Sequence, residues 1–315
     1  MTIVGICRFS MIGRGDWKAY RNVEDKDLEP IFKEKEKELF SEERMAARFE
    51  TFEQLTLASL DAQTDPDFKL LVISSDRMPK TYRQKLQTLC DARPYVELRF
   101  VPPMHVADAQ IKTLEEMGLE LKDCLQFRLD DDDCVSKDYI RKLHKHGDTL
   151  WKAHGAFAVS FPTVIYSVID GPTQGLYRWF NPFLGVGVAV RHPQRTVFGF
   201  AHYRIPTVMV ALTDPSVPSI VTHYGMNDTP RHAKEILAKR GMKKASREEL
   251  DRIIERHFDF LQGQGRKPQV FDPVTIPQKE KGAFPPPFFY RVNFLYFTRF
   301  GSTESGPRRR ILSAS

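Results

Sequence analysis

Four short apolar segments in the first half of the chain have the pattern of β-strands. Their side chains are β-branched, or apolar and polar residues alternate, as in strands that are half or fully buried. The segments are Thr2–Cys7, Lys69–Ser74, Tyr95–Val101 and Leu125–Leu129.

Segments with helical spacing separate these strands. The longest is predicted from about Glu42 to Leu60, with Ser41 as its N-cap and an apolar stripe made of Met45, Phe49, Phe52, Leu55 and Leu60. Shorter helices are predicted at Pro79–Cys90 and at Ala109–Met117, the second ended by Gly118. This alternation of strand and helix predicts an α/β fold, a Rossmann-type and mostly parallel sheet with helices on both faces.

The pattern changes beyond residue 135. Ser136 is predicted to cap a helix over Lys137–Trp151, and strand-like segments follow at Ala156–Ser167 and Phe183–Val190 with a turn at Asp170–Gly175 between them. We expect these strands to form an antiparallel addition beside the parallel sheet.

The C-terminal part contains one strongly patterned helix. A capping box at Ser246–Glu249 precedes an apolar face formed by Leu250, Ile253, Ile254, His257, Phe258 and Leu261. The predicted organisation is a domain over residues 1–230, divided into halves at 1–135 and 136–230, then a helical region at 231–262 and a Pro-rich basic tail at 263–315. The polar stretch Asp16–Lys37 is predicted to be an irregular insert after the first strand.

Composition limits the classes of partner. The formal net charge of +6 favours anionic partners, namely nucleotides, nucleic acids or membrane surfaces. We expect a cytoplasmic protein, since neither a signal peptide nor a run of 18 apolar residues is found. The four cysteines have no metal-type spacing and are predicted to be buried, reduced thiols: Cys7, Cys90, Cys124 and Cys134.

Four consecutive aspartates, Asp130–Asp133, directly follow the last of the four predicted strands. Adjacent carboxylates repel one another and are costly to bury, so a chain that only has to fold rarely places them there. A hard divalent cation removes this difficulty, because Mg²⁺ takes oxygen ligands from one or two carboxylates and from substrate phosphates. The residues therefore indicate a metal site that holds a diphosphate at the sheet edge, with a solvated acidic loop as the alternative.

Several segments together resemble the rhamnosyltransferase family of bacterial GT-A-type glycosyltransferases, roughly over residues 3 to 230. They are Arg8–Ser10, Arg48–Phe52, Leu57–Thr64, Phe68–Val72 and Phe127–Asp133. The resemblance implies a GT-A-like fold, with residues 1–135 as the nucleotide-sugar half and 136–230 as the acceptor half. It also implies a metal-dependent, inverting transfer of a sugar, rhamnose by the family's name, from a dTDP-, UDP- or GDP-sugar to a glycan or lipid-linked acceptor. Mn²⁺ or Mg²⁺ is the implied cofactor.

The family's aspartate motif carries over residue by residue. Asp130 is assigned to the ribose of the nucleotide, Asp132 and Asp133 to the metal, and Asp131 is left as a spectator. The resemblance also places a late histidine in the metal or diphosphate shell. His223 is the candidate for that place, and a purely structural histidine is the alternative.

The strand ends supply the other donor-binding candidates. Arg8, after the first strand, suits a phosphate because its guanidinium is planar and permanently charged, although a structural ion pair with an aspartate is equally open. Ser75 and Asp76 end the second strand, where a nucleotide base is received. Arg128, just before the aspartates, is a further donor-binding candidate. We expect it to balance the charge of the aspartates, and a side chain that points away into a helix face is the alternative. An inverting transfer also requires a base for the acceptor hydroxyl, and the candidates are Asp228 and Asp170.

Other classes remain as alternatives. A non-catalytic glycan- or nucleotide-binding protein of the same fold is the main one. A nucleotidyltransferase or phosphatase would require a second acidic cluster, which is not found. No partner nucleic acid is expected, since neither a phosphate-binding glycine loop nor zinc-finger spacing is present. The basic stretch Lys234–Arg247 predicts peripheral contact with anionic lipids at the membrane's inner face or contact with a charged glycan, and a solvated helix face is the alternative.

Overall fold

The computed structural model describes residues 1–14, 23–24, 27–169, 171, 173–223 and 234–262. They lie in the first of the two units into which the chain divides, Met1–Val274. In chain order the strands are β1 Thr2–Phe9, β2 Gly13–Arg14, β3 Lys69–Ser75, β4 Val96–Val101, β5 Met104–His105, β6 Cys124–Arg128, β7 Asp133–Val135, β8 Phe157–Ser160, β9 Thr163–Val168, β10 Gly175–Phe180, β11 Ala189–Arg191, β12 Val210–Thr213, β13 Ser219–His223 and β14 Lys243–Lys244. The α-helices are α1 Leu28–Leu39, α2 Glu42–Thr51, α3 Ala58–Asp61, α4 Lys80–Asp91, α5 Val106–Glu116, α6 Tyr139–Trp151, α7 Lys234–Lys239 and α8 Arg247–His257.

The main sheet has seven strands in the order β12-β8-β11-β6-β1-β3-β4. Its four strands β6, β1, β3 and β4 are parallel, with Ile6 paired to Arg128, Phe9 to Ser74, and Ser75 to Val101. Their carboxyl ends therefore meet at one edge, where ligands of open α/β sheets bind. The strand β11 is antiparallel to both β6 and β8, and β12 is parallel to β8. The predicted α/β fold class, with a mostly parallel main sheet, is confirmed.

Beside the main sheet lies a second sheet of five strands in the order β14-β10-β9-β13-β7, in which β9 is antiparallel to β10 and parallel to β13. The predicted antiparallel addition is confirmed only in part, because β11, which overlaps the predicted Phe183–Val190 strand, lies in the main sheet. The single strand predicted at Ala156–Ser167 is wrong, because β8 lies in the main sheet and β9 in the second. Pro162, which has no N–H to donate, stands between them. The strand predicted at Phe183–Val190 is limited to β11, because the glycine-containing segment before it includes Gly187 at a φ of +62°.

Alternate residues of the parallel strands face two separate cores. One face holds Cys7, Phe9 and Phe127 under α2, α4 and α6. The other holds Val4 and Ile6 under α5 and two short 3₁₀ segments, Val197–Gly199 and His202–Thr207. This alternation decides which strand-end side chains can meet at the site.

The long helix predicted after the first strand is confirmed, with one irregularity. It consists of α2 and α3 joined by a π-helical segment, Phe52–Leu57. Ser41 occupies the N-cap position, but its hydroxyl donates to Glu38 O at 3.1 Å. Single π turns within α-helices often occur at functional positions.

Part of the predicted irregular insert Asp16–Lys37 is helical, and the prediction is wrong there. Helix α1 buries Leu28, Phe32 and Leu39 on one side. Arg77, just after β3, holds this helix through ion pairs to Glu29 at 2.8 Å and Glu36 at 2.9 Å. These charged partners gave the stretch its polar character and concealed its apolar face.

Two further helix starts test the capping predictions. The Ser246 hydroxyl accepts a hydrogen bond from Glu249 N at 3.3 Å, which confirms the predicted cap of α8. Helix α6 begins at Tyr139 with Asp138 at the N-cap position, and Ser136 Oγ accepts from Asp138 N at 3.3 Å without capping the helix.

All four cysteines are free and buried, as predicted. The predicted tail at 263–315 lies outside the described residues.

Candidate functional site

The four aspartates form a turn at the carboxyl edge of the main sheet. The strand β6 ends at Arg128 and β7 begins at Asp133, and Asp133 N donates to Asp130 O at 3.2 Å. Because the chain turns here, the side chains are not restricted to the alternating directions of a strand. Asp131, Asp132 and Asp133 are buried, so this is not a solvated acidic loop.

Three threonine hydroxyls fix the backbone of this turn. Thr51 Oγ1 donates to Asp131 O at 3.1 Å, and Thr222 Oγ1 donates to Asp132 O at 2.8 Å. Thr56 Oγ1, in the π-helical segment, lies 2.9 Å from Asp133 O and 3.3 Å from Asp130 O. The carbonyls are thus satisfied by neighbouring elements, which holds the carboxylates at defined positions.

A buried arginine from α2 faces the turn. Arg48 Nη1 bonds a carboxylate oxygen of Asp131 and lies 3.1 Å from Asp132 Oδ2. Arg48 is not among the site residues predicted from the sequence. A signal was present, since Arg48 lies on the apolar stripe between Met45 and Phe52, where a charge needs a buried partner. Asp131, predicted to be a spectator, contacts Arg48.

Arg128 and Asp130 form a two-point ion pair. Nη2 lies 2.7 Å from Oδ2, and Nε lies 3.2 Å from Oδ1. Burial opposes ionisation of Asp130, but the charges of Arg128, Arg8 and Arg48 hold its pKa below the ordinary value. This is the charge balance that the sequence analysis expected of Arg128.

The negative charges of Asp132 and Asp133 are less well compensated by neighbouring cations than that of Asp130. Burial, together with the charges of Asp131 and Asp130, raises the pKa of Asp132 to about 7 although Arg48 opposes the rise. Burial and the neighbouring aspartates raise the pKa of Asp133 well above its usual range. Both groups would ionise more readily beside a further cation.

The donor chemistry of the turn suits Mg²⁺ or Mn²⁺. Two buried carboxylates that lack sufficient positive charge are the ligands such ions take when substrate phosphates complete the shell. Among the residues that the structure describes, no three His, Cys, Asp or Glu side chains are grouped to hold a metal ion. Asp132 and Asp133 therefore fit a metal that is shared with a diphosphate, and the metal assignment stays a prediction.

His223 ends β13, next to Thr222, and is buried. The strand β13 is antiparallel to β7 with Val221 opposite Asp133, so His223 lies beyond that pair on the side of the acidic turn. Its ring centroid is 6.2 Å from that of Tyr166. Its proposed place in the metal shell is untested. The candidate bases Asp228 and Asp170 lie outside the described residues.

Arg8, next to the last residue of β1, and Arg128, the last residue of β6, lie on the same face of the sheet and share an aromatic partner. The Cζ atom of Arg8 is 4.9 Å from the centroid of the Phe198 ring, and that of Arg128 is 4.6 Å from it. Phe198 was missed by the sequence analysis. No sequence signal marks it, because its position depends on a 3₁₀ segment some seventy residues after β6.

Ser75 and Asp76 lie at the same edge, after β3. Ser75 is buried, and its hydroxyl accepts from Arg77 N at 3.2 Å. Asp76 is exposed, and its backbone N donates to Val101 O at 3.0 Å. Their assignment to the nucleotide base remains a prediction.

Comparison with models of known protein families assigns the chain to one family. The family model described as "Putative rhamnosyl transferase" matches residues 2–236, which include Arg8, Ser75, Arg128 and the acidic turn. The chain belongs to this family. The predicted membership of a rhamnosyltransferase family, and with it the glycosyltransferase class, is confirmed.

Solved structures show only distant likeness to this rhamnosyl transferase family member. S. aureus TarS 1-349 is 10% identical, with 54% of this chain and 37% of TarS covered and a TM-score of 0.31. The same protein with UDP-GlcNAc is 12% identical, covers 56% and 36%, and has a TM-score of 0.29. A 4-diphosphocytidyl-2C-methyl-D-erythritol synthase is 12% identical, covers 76% and 97%, and has a TM-score of 0.32. The chain spans well under two thirds of TarS, and at these scores nothing about ligands follows.

No curated protein matches the chain. Among the helices of the described ranges, none combines the length and the apolar character needed to cross a bilayer.

Proposed function

We propose that this family member is a metal-dependent glycosyltransferase. It moves a sugar, rhamnose by the family's description, from a nucleoside-diphosphate donor to a glycan or lipid-linked acceptor, with inversion at the anomeric carbon. The donor is a dTDP-, UDP- or GDP-sugar, and the cofactor is Mn²⁺ or Mg²⁺.

One juxtaposition carries the proposal. At a single sheet edge the chain places two arginines, Arg8 and Arg128, beside a buried turn in which the pKa values of Asp132 and Asp133 are raised, although Arg48 pairs with Asp132. A diphosphate with a divalent cation matches this arrangement, because its oxygens suit the guanidinium groups and its cation suits the carboxylates.

The transfer forms one bond and breaks one. The acceptor hydroxyl oxygen attacks the anomeric carbon while the C–O bond to the diphosphate breaks, and the nucleoside diphosphate leaves with the electron pair. The hydroxyl proton passes to a carboxylate base, for which Asp228 and Asp170 are the candidates. Arg8 and Arg128 stabilise the negative charge that develops on the leaving group.

Asp132 and Asp133 would hold the metal, with His223 as a further ligand. A bound divalent ion supplies additional stabilisation of the diphosphate charge. Asp130, oriented by Arg128, is available for the ribose, and Ser75 and Asp76 for the base.

The acceptor side is proposed from surface charge. Lys239, Arg240, Lys243, Lys244 and Arg247 are exposed in the described part of the basic stretch. Cations near an anionic lipid surface each contribute about 1 kcal/mol, so this region suits a lipid-linked acceptor or the inner face of the membrane.

The first test is a thermal-shift panel of UDP-, dTDP- and GDP-sugars, each with Mn²⁺ and with chelator. Selective, metal-dependent stabilisation by one nucleotide would support the donor site and identify the base. Release of the nucleoside diphosphate on addition of acceptor would then separate an enzyme from a non-catalytic glycan- or nucleotide-binding protein. The absence of a shift with every donor would overturn the proposal.

A further inference from the structure

Two cations at the site lie against one phenyl ring. Arg8 is the penultimate residue of β1 and Arg128 ends β6, and the pairing of Ile6 with Arg128 places the two side chains on neighbouring strands. Their Cζ atoms lie 4.9 and 4.6 Å from the centroid of Phe198, which is itself half-buried and reachable from solvent. The ring's negative face attracts both guanidinium groups.

This arrangement opposes the repulsion between like charges. Neighbouring guanidinium groups at the end of a sheet repel one another, and the repulsion grows as they lose water. The pair is nevertheless held on the Val4–Ile6 face, which packs a largely apolar core and also carries the buried Gln126. Contact of both guanidinium groups with the ring lowers the cost of holding them together and also limits their rotation.

The ion pair with Asp130 leaves part of Arg128 available. It engages Nε and Nη2, and within the described ranges the third nitrogen, Nη1, makes no hydrogen bond. A guanidinium can therefore be oriented by a carboxylate on one side while it donates to a ligand on the other.

We propose that Phe198 is a positioning residue that holds Arg8 and Arg128 together as one anion-binding pair. This pair binds the diphosphate of the donor even when no metal is present. The inference rests on the proposed function, and it means that the protein's affinity for the donor has two sources. The aspartates and the metal supply one part, and the two arginines over Phe198 supply the other. Diphosphate oxygens are the expected ligand because planar guanidinium groups bind them in two-point fashion.

The experiment measures binding of inorganic pyrophosphate and of UDP by calorimetry, in chelator and at low ionic strength. The key variant is Phe198→Leu, which keeps an apolar side chain but removes the aromatic face. Phe198→Tyr retains the ring. The matched control is Phe200→Leu, since Phe200 directly follows the same segment and its ring centroid lies 4.4 Å from Cζ of a different arginine, Arg195.

Wild-type protein is expected to bind pyrophosphate in chelator, with affinity that falls as salt rises. Phe198→Leu should weaken binding about tenfold, the size expected for the loss of two partly exposed cation–π contacts. Phe198→Tyr and Phe200→Leu should both bind like wild type. If Phe198→Leu lowers the melting temperature, Arg8→Gln compared with Arg195→Gln provides the second test, and only the first should weaken binding.

Two results would overturn the inference. One is binding of pyrophosphate to wild type only when Mn²⁺ is present, and the other is equal affinity of wild type and both Phe198→Leu and Arg8→Gln. Neither affects the proposed function. If wild type binds no nucleoside diphosphate with or without metal, the proposed function fails instead.

Discussion

Arg48 Nη1 lies 3.1 Å from Asp132 Oδ2 inside the protein, so a helix residue supplies part of the positive charge that the acidic turn requires. Both side chains are almost fully buried. The same guanidinium bonds Asp131, which makes Arg48 the link between α2 and the turn after β6.

Replacement of Arg48 by Met should destabilise the protein strongly. Breaking a buried ion pair by removing one partner costs about 3–5 kcal/mol, because the remaining charges have no compensation. The measurement is urea denaturation in chelator. Arg93→Met is the control, because its pair with Asp61 at 2.8 Å is partly exposed and should contribute no more than about 1 kcal/mol.

Mn²⁺ should stabilise wild type and Arg48→Met to different extents. Since a divalent cation replaces some of the charge that Arg48 supplied, Mn²⁺ should raise the melting temperature of Arg48→Met more than that of wild type. Equal shifts would mean that the metal does not bind near Asp132.

Asp132→Asn should abolish transfer but leave the metal-free fold intact or slightly more stable near neutral pH. The pKa of Asp132 is raised to about 7, so its ionised form is unfavourable in the fold. A raised pKa contributes stability below the unfolded value, near 4, and this stability is lost as pH rises through about 7. The free energy of unfolding of wild type relative to Asp132→Asn should therefore fall between pH 4 and pH 8. Unfolding of the variant without metal would instead show that Asp132 has a structural role.

The sequence predicted those parts of the site that are contiguous along the chain. Asp130–Asp133 could be recognised because their repulsion is visible in one segment, and the strand ends at Arg8 and Ser75 followed from the alternation of strand and helix. Arg48 could have been found from its place on an apolar stripe. Phe198 could not, since its contact with two distant arginines depends on how a 3₁₀ segment packs against the sheet.

Two wrong predictions about the fold have similar causes. Helix α1 was missed because its glutamates, which pair with Arg77 in the folded protein, hide three buried apolar residues in a charged sequence. The division of β8 from β9 was missed because both have the same strand pattern, and only the tertiary structure assigns them to different sheets.

Asp214 should show the opposite pH dependence to Asp132. Hydrogen bonds from His146 Nε2 at 2.7 Å and Ser216 N at 2.9 Å hold the pKa of Asp214 well below its ordinary value. A lowered pKa contributes stability above the unfolded value, near 4, and this stability is lost as pH falls through the folded value. Asp214→Asn should cost about 1–2 kcal/mol at pH 7, and the difference from wild type should shrink below about pH 4. Urea denaturation at several pH values measures it, and a difference that does not depend on pH would contradict the assignment.

Thr56 provides a test of how the π-helical segment serves the site. Its hydroxyl donates to the carbonyls of Asp133 at 2.9 Å and Asp130 at 3.3 Å, and Val has nearly the same shape without a donor. Thr56→Val should cost about 1–3 kcal/mol, because a buried carbonyl loses its partner.

The same change should also weaken Mn²⁺ binding, since the aspartates would lose their fixed geometry. Thr88→Val is the matched control, because the Thr88 hydroxyl bonds Gln84 O at 3.0 Å on an exposed helix face. The free energy of unfolding of Thr88→Val should lie within about 0.5 kcal/mol of that of wild type. A Thr56→Val protein that is destabilised but binds Mn²⁺ with unchanged affinity would show that the π-helical segment supports the fold and not the metal site.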